Sequence, residues 1–176
     1  MRAVADAGRI RRLMRALAAE ADREGRVYFT GGATAVLLGW RHSTIDVDLR
    51  FEPEMDRLLR VLPRLKDELQ INIELASPAD FIPVAPGWEE RSLFIAAEGQ
   101  LSFFHFDPYA QALAKVERGH TQDLEDVRAM IRMKLVDPSR AVEYFRRIEP
   151  DLYRYPAVDP PTFRRAVEEI FTAHEG

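Results

Sequence analysis

Between Val27 and Phe51 the chain reads Val-Tyr-Phe-Thr-Gly-Gly-Ala-Thr-Ala-Val-Leu-Leu-Gly-Trp-Arg-His-Ser-Thr-Ile-Asp-Val-Asp-Leu-Arg-Phe. No other stretch constrains the fold as tightly. Val27 to Phe29, β-branched and aromatic, reads as a short strand. The pair Gly31-Gly32 then opens an apolar helical segment, Ala33 to Leu38, which Gly39 ends. Arg41 to Ser43 read as a polar loop, and Ile45 to Phe51 as a second strand. Side chains alternate faces along a strand. Ile45, Val47 and Leu49 therefore point into a core, while Asp46 and Asp48 point together to the other side.

Two carboxylates on one strand face repel each other, and burial sharpens the repulsion. A divalent cation would neutralise them, and hard oxygen ligands of this kind suit Mg²⁺, which shares its shell with substrate phosphates. Glycines let a phosphate approach the backbone, and the helix that follows presents N–H groups to an anion. A phosphate seat beside a metal seat points to phosphoryl or nucleotidyl transfer.

Gly31-Gly32, thirteen intervening residues and Asp46-Val47-Asp48-Leu49 resemble the signature of the DNA polymerase beta-type nucleotidyltransferase superfamily. Thr30 stands where that signature usually has an apolar residue. The resemblance implies that Asp46 and Asp48 hold metal ions and that the glycine pair holds the triphosphate. It also implies a third carboxylate on a later strand in an apolar-acid-apolar setting. Ile73-Glu74-Leu75 is similar to that element, which makes Glu74 the third metal ligand; otherwise it is an exposed strand residue.

A chain of 176 residues fits one domain, or a core with a helical extension. Its 47% hydrophobic content is ample for a core, and a net charge of −4 leaves no global basic footprint for nucleic acid. The absence of cysteine excludes disulfides and thiolate metal sites and is consistent with a cytoplasmic protein. No apolar run approaches a membrane span.

Ala3 to Glu24 read as one amphipathic helix with Ile10, Leu13, Met14 and Leu17 on its apolar stripe. Arg2, Arg9, Arg11, Arg12 and Arg15 form either a solvated face or a basic platform for RNA. Glu54 to Gln70 read as a helix that Pro63 should kink or split. Ile71 to Leu75 read as a strand with Ile71, Ile73 and Leu75 on one face. Ser77 to Gly87 is a proline-rich connector that Phe81 and Trp88 should pack down. Ser92–Ala97 and Leu101–Phe106 flank Glu98-Gly99-Gln100 as a β-hairpin, its aromatics packed in the core or stacking on a base.

Asp107-Pro108 starts an all-helical part: Tyr109–Glu117, Thr121–Leu135 with Thr121 as cap, Pro138–Arg147, a Pro150–Pro161 loop, and Thr162–His174. Lys115 and Arg118 share one helix face and Asp123 and Asp126 the next, across the Gly119 turn. These four form either an ion-pair knot or a site. The pattern is similar to the Lys…Arg/Lys…Asp-x-x-Asp motif of the minimal nucleotidyltransferases that act as toxins in bacterial abortive-infection toxin-antitoxin systems. That resemblance implies that Lys115 contacts the nucleotide and that an aspartate, Asp123 or Asp126, completes the site. It further implies an RNA end (tRNA-like) or a protein hydroxyl as acceptor, and an antitoxin partner.

The histidines lack paired helical spacing, and neither a Walker lysine nor a G-x-G-x-x-G is present, which disfavours zinc enzymes, P-loop ATPases and Rossmann dehydrogenases. The expectation is an α/β (α+β) nucleotidyltransferase-type mixed sheet with flanking helices over residues 1–106, followed by a helical bundle over 107–176. Asp46, Asp48 and Glu74 would ligate Mg²⁺ (or Mn²⁺). Gly31 and Gly32, with Thr34 or Thr44, would hold the phosphates of the NTP. Lys115 and Arg118 would offset its charge. The rival readings are a non-catalytic nucleotide-binding domain and a partner-binding protein.

Overall fold

The alternating and continuous apolar runs become a mixed sheet, seen in a computed structural model that describes residues 4–172. Arg2, Ala3 and His174, expected in the terminal helices, lie outside the described residues. A short β1 (Ala5–Asp6) leads into α1 (Ala7–Glu20), β2 (Gly25–Thr30), α2 (Gly32–Leu38), β3 (Ser43–Thr44) and β4 (Asp46–Glu52). Then come α3 (Asp56–Leu69) and β5 (Asn72–Leu75), a 3₁₀ turn at Pro78–Asp80, α4 (Trp88–Arg91), and the hairpin β6 (Leu93–Glu98) and β7 (Leu101–His105). The helices α5 (Pro108–Arg118), α6 (Thr121–Arg132), α7 (Pro138–Ile148) and α8 (Pro160–Thr172) follow, with a second 3₁₀ segment at Glu149–Arg154. The chain forms two compact units, residues 1–77 with 92–106, and residues 78–91 with 107–176.

In the first unit the five strands run in the order β5-β4-β2-β7-β6. β2 is antiparallel to β4 and parallel to β7, β4 is parallel to β5, and β6 is antiparallel to β7. This is the expected mixed α/β sheet. One face carries Val27, Phe29, Val47, Leu49, Ile73 and Phe103, and it is buried with Ile10, Leu13, Met14 and Leu17 of α1 and Leu58, Leu62 and Leu65 of α3. Each such side chain contributes about 1.5–3 kcal/mol on burial.

Helix α1 starts at Asp6, whose carboxylate accepts the Arg9 N–H at 2.9 Å. It stops at Glu20, four residues short of the expected end, because the chain must turn into β2 and Asp22 to Glu24 carry nothing to bury. The Arg57 guanidinium on α3 donates to the Glu20 carbonyl at 2.9 Å, satisfying one acceptor the helix end leaves open. Likewise Arg9 Nη1 donates to the Gln70 carbonyl at 3.2 Å, just past the end of α3. Pro63 does not split α3; the buried stripe on both sides of it outweighs the one N–H it lacks.

Three apolar expectations fail. Ile45 lies before β4 and is 73% exposed, while Leu75 and Phe81 are also exposed. Ile45 and Leu75 sit at strand ends, where the sheet no longer covers them. The connector is held by Ile82 and Ala85 instead. The hairpin forms as expected, with Gly99 at φ +56° in its two-residue turn.

In the second unit Asp107 accepts the Tyr109 N–H at 3.0 Å and caps α5, with Pro108 at the first helical position. Gly119 ends α5 at φ +72°. The cap of α6 is His120 and not Thr121: the Asp123 carboxylate reaches back to the His120 N–H at 3.2 Å and closes a capping box. The Pro150–Pro161 loop is shorter than expected, because a 3₁₀ segment takes up its start and α8 begins at Pro160. Buried Asp107 accepts from Arg91 Nε at 2.8 Å and from the Tyr144 hydroxyl at 3.3 Å. Arg91 also donates to the Ala85 and Pro86 carbonyls at 2.9 Å, so segment 78–91 is tied to its own unit. Among the described residues no helix is long and apolar enough to cross a membrane.

Close packing behind the glycine pair gives a test. A methyl group at Gly32 would lie 2.6 Å from Thr44 Cβ and 1.9 Å from its hydroxyl, too close for either to stay in place. We expect Gly32→Ala to cost about 1–3 kcal/mol, measured as a lowered urea midpoint, with Gly32→Ala/Thr44→Gly, which removes both clashing atoms, recovering part of it.

Candidate functional site

The strand register places the acidic residues. Asp46 on β4 is in register with Asn72 on β5, and Asp48 with Glu74. On the other side of β4, Asp48 pairs with Thr30 of β2. Partners in register point to the same face, so Asp46, Asp48 and Glu74 project from the side of the sheet opposite its buried face. The Asn72 amide donates to Asp46 Oδ1 and orients that carboxylate, while Glu74 is exposed.

The glycine pair closes on the same spot. Gly31 has φ +64° and ψ −130°, a backbone conformation that only glycine adopts without strain. A Cβ there would sit 3.1 Å from Asp48 Oδ2. The backbone at Gly31 and the carboxylate of Asp48 therefore lie against each other, with no side chain between them. Gly32 begins α2 directly after, and no side chain caps that helix.

The two threonines have other partners. Thr34 is buried, its hydroxyl 2.9 Å from His105 Nδ1. Thr44 is buried and its hydroxyl donates to the Asp46 carbonyl at 3.0 Å. A small pairing of β1 with β3, Ala5 opposite Thr44, fixes the segment just before Asp46. Nothing in the sequence pattern marked those two-residue strands, since each takes its partner from far along the chain. Thr44 thus ties the segment before β4 to the carboxylate strand.

Burial depresses the His105 imidazole to about 4, so it is neutral in the folded protein near neutral pH. It fills the space behind α2 as an uncharged hydrogen-bonding group. Sequence reasoning missed this role, which depends on β7 lying parallel beside β2.

Lys115, Arg118, Asp123 and Asp126 belong to the second unit. Lys115 Nζ lies 2.7 Å from Asp126 Oδ2 and 3.9 Å from Asp123 Oδ1. Arg118 grips Asp123 through two bonds of 2.8 and 2.6 Å. Lys115, Asp123 and Asp126 are all buried. Burial opposes ionisation of Asp123, but Arg118 and Lys115 beside it hold its carboxyl below the usual range. The four residues expected to share a turn are thus joined to one another by ion pairs.

Helix α1 packs its apolar stripe against the buried face of the sheet. The arginines on its outer side, Arg11, Arg12 and Arg15, are exposed. They face away from Asp46 and Asp48, which leave the sheet on the opposite side.

In comparison with known families, residues 8–146 match the model of a family described as "Nucleotidyltransferase of unknown function (DUF6036)". Comparisons with curated proteins and with solved structures returned no match.

Two measurements test this geometry. Lys115→Met should destabilise the protein by about 3–5 kcal/mol, because it strands Asp126 as a buried charge. Lys115→Met/Asp126→Asn should recover part of that loss in urea unfolding. A Lys115→Met variant of unchanged stability but weakened NTP binding would instead place the lysine at the nucleotide.

The second concerns acid. An unfolded histidine binds its proton as pH falls through about 6.5, whereas folded His105 resists until about 4. Its contribution is complete above the upper value and is lost progressively as pH falls toward the lower one. His105→Gln should flatten the decline in urea midpoint across that window.

Proposed function

This chain belongs to a nucleotidyltransferase family, and from that premise we propose that its first unit moves a nucleoside monophosphate from an NTP to an acceptor hydroxyl, at the seat formed by Gly31, Gly32, Asp46 and Asp48. One observation carries the reading. The glycine backbone and the Asp48 carboxylate are contiguous, Asp48 Oδ2 being 3.1 Å from where a Gly31 Cβ would stand. A phosphate resting on the glycine N–H groups would therefore also lie beside the carboxylate pair.

Such a seat is electrostatically consistent only with a cation between phosphate and carboxylates. The donor set fits Mg²⁺, which is commonly held by one or two carboxylates together with substrate phosphates. Asp46 and Asp48 would hold it, with Glu74 in register beside Asp48. Among the described residues no three acidic or histidine side chains are gathered into a ready-made metal group, so the NTP's own oxygens would complete the shell. When bound, Mg²⁺ supplies charge neutralisation at the phosphates and at the entering and leaving oxygens.

The chain's own residues do the rest. Gly31 and Gly32 orient the triphosphate, and Asn72 holds Asp46 in position. The acceptor oxygen bonds to the α-phosphorus, the bond to the β-phosphate oxygen breaks, and pyrophosphate leaves with the electron pair. Glu74, exposed and in register with Asp48, would take the acceptor's proton. The intact glycine pair and carboxylates favour this over a domain that only binds nucleotide. The acceptor in this proposal is an RNA end, and the likeness of the Lys115–Asp126 segment to abortive-infection toxins extends it to a toxin restrained by an antitoxin.

We expect Asp46→Asn and Asp48→Asn each to lower Mg²⁺-dependent pyrophosphate release from NTPs by roughly a hundredfold or more. Thermal stability without ligand should stay level or rise, since one of two like charges is gone. Mg²⁺·NTP should raise the melting point of the wild-type protein only. Undiminished pyrophosphate release in both variants would sink the assignment.

A further inference from the structure

Beyond the carboxylates, the sheet face opposite the apolar core carries a second row of side chains. Arg50 on β4 is in register with Tyr28 on β2, Tyr28 with Phe104 on β7, and Phe104 with Phe94 on β6. All four point to the same face as Asp48, one pleat repeat further along. The contacts confirm the row. Tyr28 and Phe104 stack with ring centroids 5.3 Å apart, and Phe94 meets Phe104 edge-on at 5.7 Å. The Arg26 guanidinium, itself exposed, lies over the Phe104 ring at 5.1 Å.

The row changes character along its length. Tyr28 is buried, Phe104 is half-buried, and Phe94, on the edge strand, is 62% exposed. A phenylalanine so exposed, backed by further rings and flanked by arginine, is costly to leave in water and suits a flat, polarisable partner. Bases stack on such rings whatever their identity, and arginine beside them takes the phosphates. Arg50 pairs with Glu52 at 3.0 Å, and Arg26, whose Nη1 donates to the Tyr28 hydroxyl at 3.3 Å, is the cation lying over the rings and the phosphate contact of this platform.

We propose that Phe94 with half-buried Phe104, backed by the buried Tyr28 ring and flanked by Arg26, is a stacking platform for the single-stranded end of an acceptor RNA. By strand spacing, Phe94 lies about 16 Å from Asp48, a few nucleotides of extended strand. The terminal hydroxyl would reach Asp48 while an upstream base rests on Phe94. Neutral aromatic faces beside one arginine also explain how a chain of net charge −4 holds RNA without a basic groove. The naming of this RNA as acceptor rests on the proposed nucleotidyl transfer, whereas the platform itself is a binding claim that stands or falls separately.

The test is fluorescence anisotropy of the full chain with a short labelled single-stranded oligoribonucleotide in Mg²⁺, and with the same sequence as a duplex. Single strand should bind in preference to duplex. Phe94→Ala should weaken binding about tenfold, and Phe94→Trp should retain it. Arg26→Gln should weaken binding and flatten its dependence on salt. The melting-point rise with Mg²⁺·NTP should be unchanged in all three variants, since none touches the carboxylate seat. Affinity indifferent to Phe94 and Arg26 overturns the platform and leaves nucleotidyl transfer standing. So does a loss of NTP binding in Phe94→Ala, which would make the ring a seat for the NTP's base. A shift of oligomeric state in Phe94→Ala, with RNA binding intact, would make β6 a contact between copies and also overturn it. RNA bound through Phe94 by a protein that turns over no NTP would instead defeat the transfer reading alone.

Discussion

Val47, Leu49 and Phe51 of β4 are buried with α1 and α3 on one side of the sheet, and because the strand period is two residues, Asp46, Asp48 and Arg50 must then leave from the other. A slip of one residue would bury both aspartates and expose the apolar set. The cost of that exchange, many kcal/mol of apolar burial lost and two charges desolvated, pins the register. Every feature of that face inherits it. Asn72 and Glu74 are set beside the aspartates through β5, and Thr30, Tyr28, Phe104 and Phe94 are set in rows through β2, β7 and β6.

The glycine pair completes the design at one tight joint. β2 ends at Thr30 and α2 begins at Gly32, so a single residue must reverse the backbone, and Gly31 does so at positive φ. A side chain there would be strained and would crowd Asp48. Behind the joint, Thr44 fills the space next to Gly32, and Thr34 with neutral His105 secures α2. The joint is thus braced from behind by packed side chains.

In the second unit, buried charge serves architecture. Lys115–Asp126 and Arg118–Asp123 join α5 to α6 across the Gly119 turn, and Asp107 with Arg91 and Tyr144 fastens the segment 78–91. Buried pairs of this kind add little net stability over apolar packing but penalise any arrangement that separates them. Their effect is to specify which helices meet.

Much of this was legible in one dimension. The alternation of Val47, Leu49 and Phe51 with Asp46 and Asp48, the glycine pair, the Asp107-Pro108 start of α5 and the Gly99 hairpin are local rules of backbone and period, and the sequence by itself determined them. So was the likeness of the Gly31–Asp48 stretch to nucleotidyltransferases, which the family match bears out at that level. Ile45, Leu75 and Phe81 were misplaced because an apolar residue at an element's end is buried only if something distant covers it. The partners of the Thr34 and Thr44 hydroxyls, His105 and the Asp46 carbonyl, were likewise not legible in the sequence. The exposure of Phe94, the side on which the α1 arginines lie and the pairing inside the Lys115–Asp126 knot all depend on which strands and helices become neighbours. Tertiary structure alone decided these, because they are contacts between residues far apart in the chain, and no local period encodes the partner.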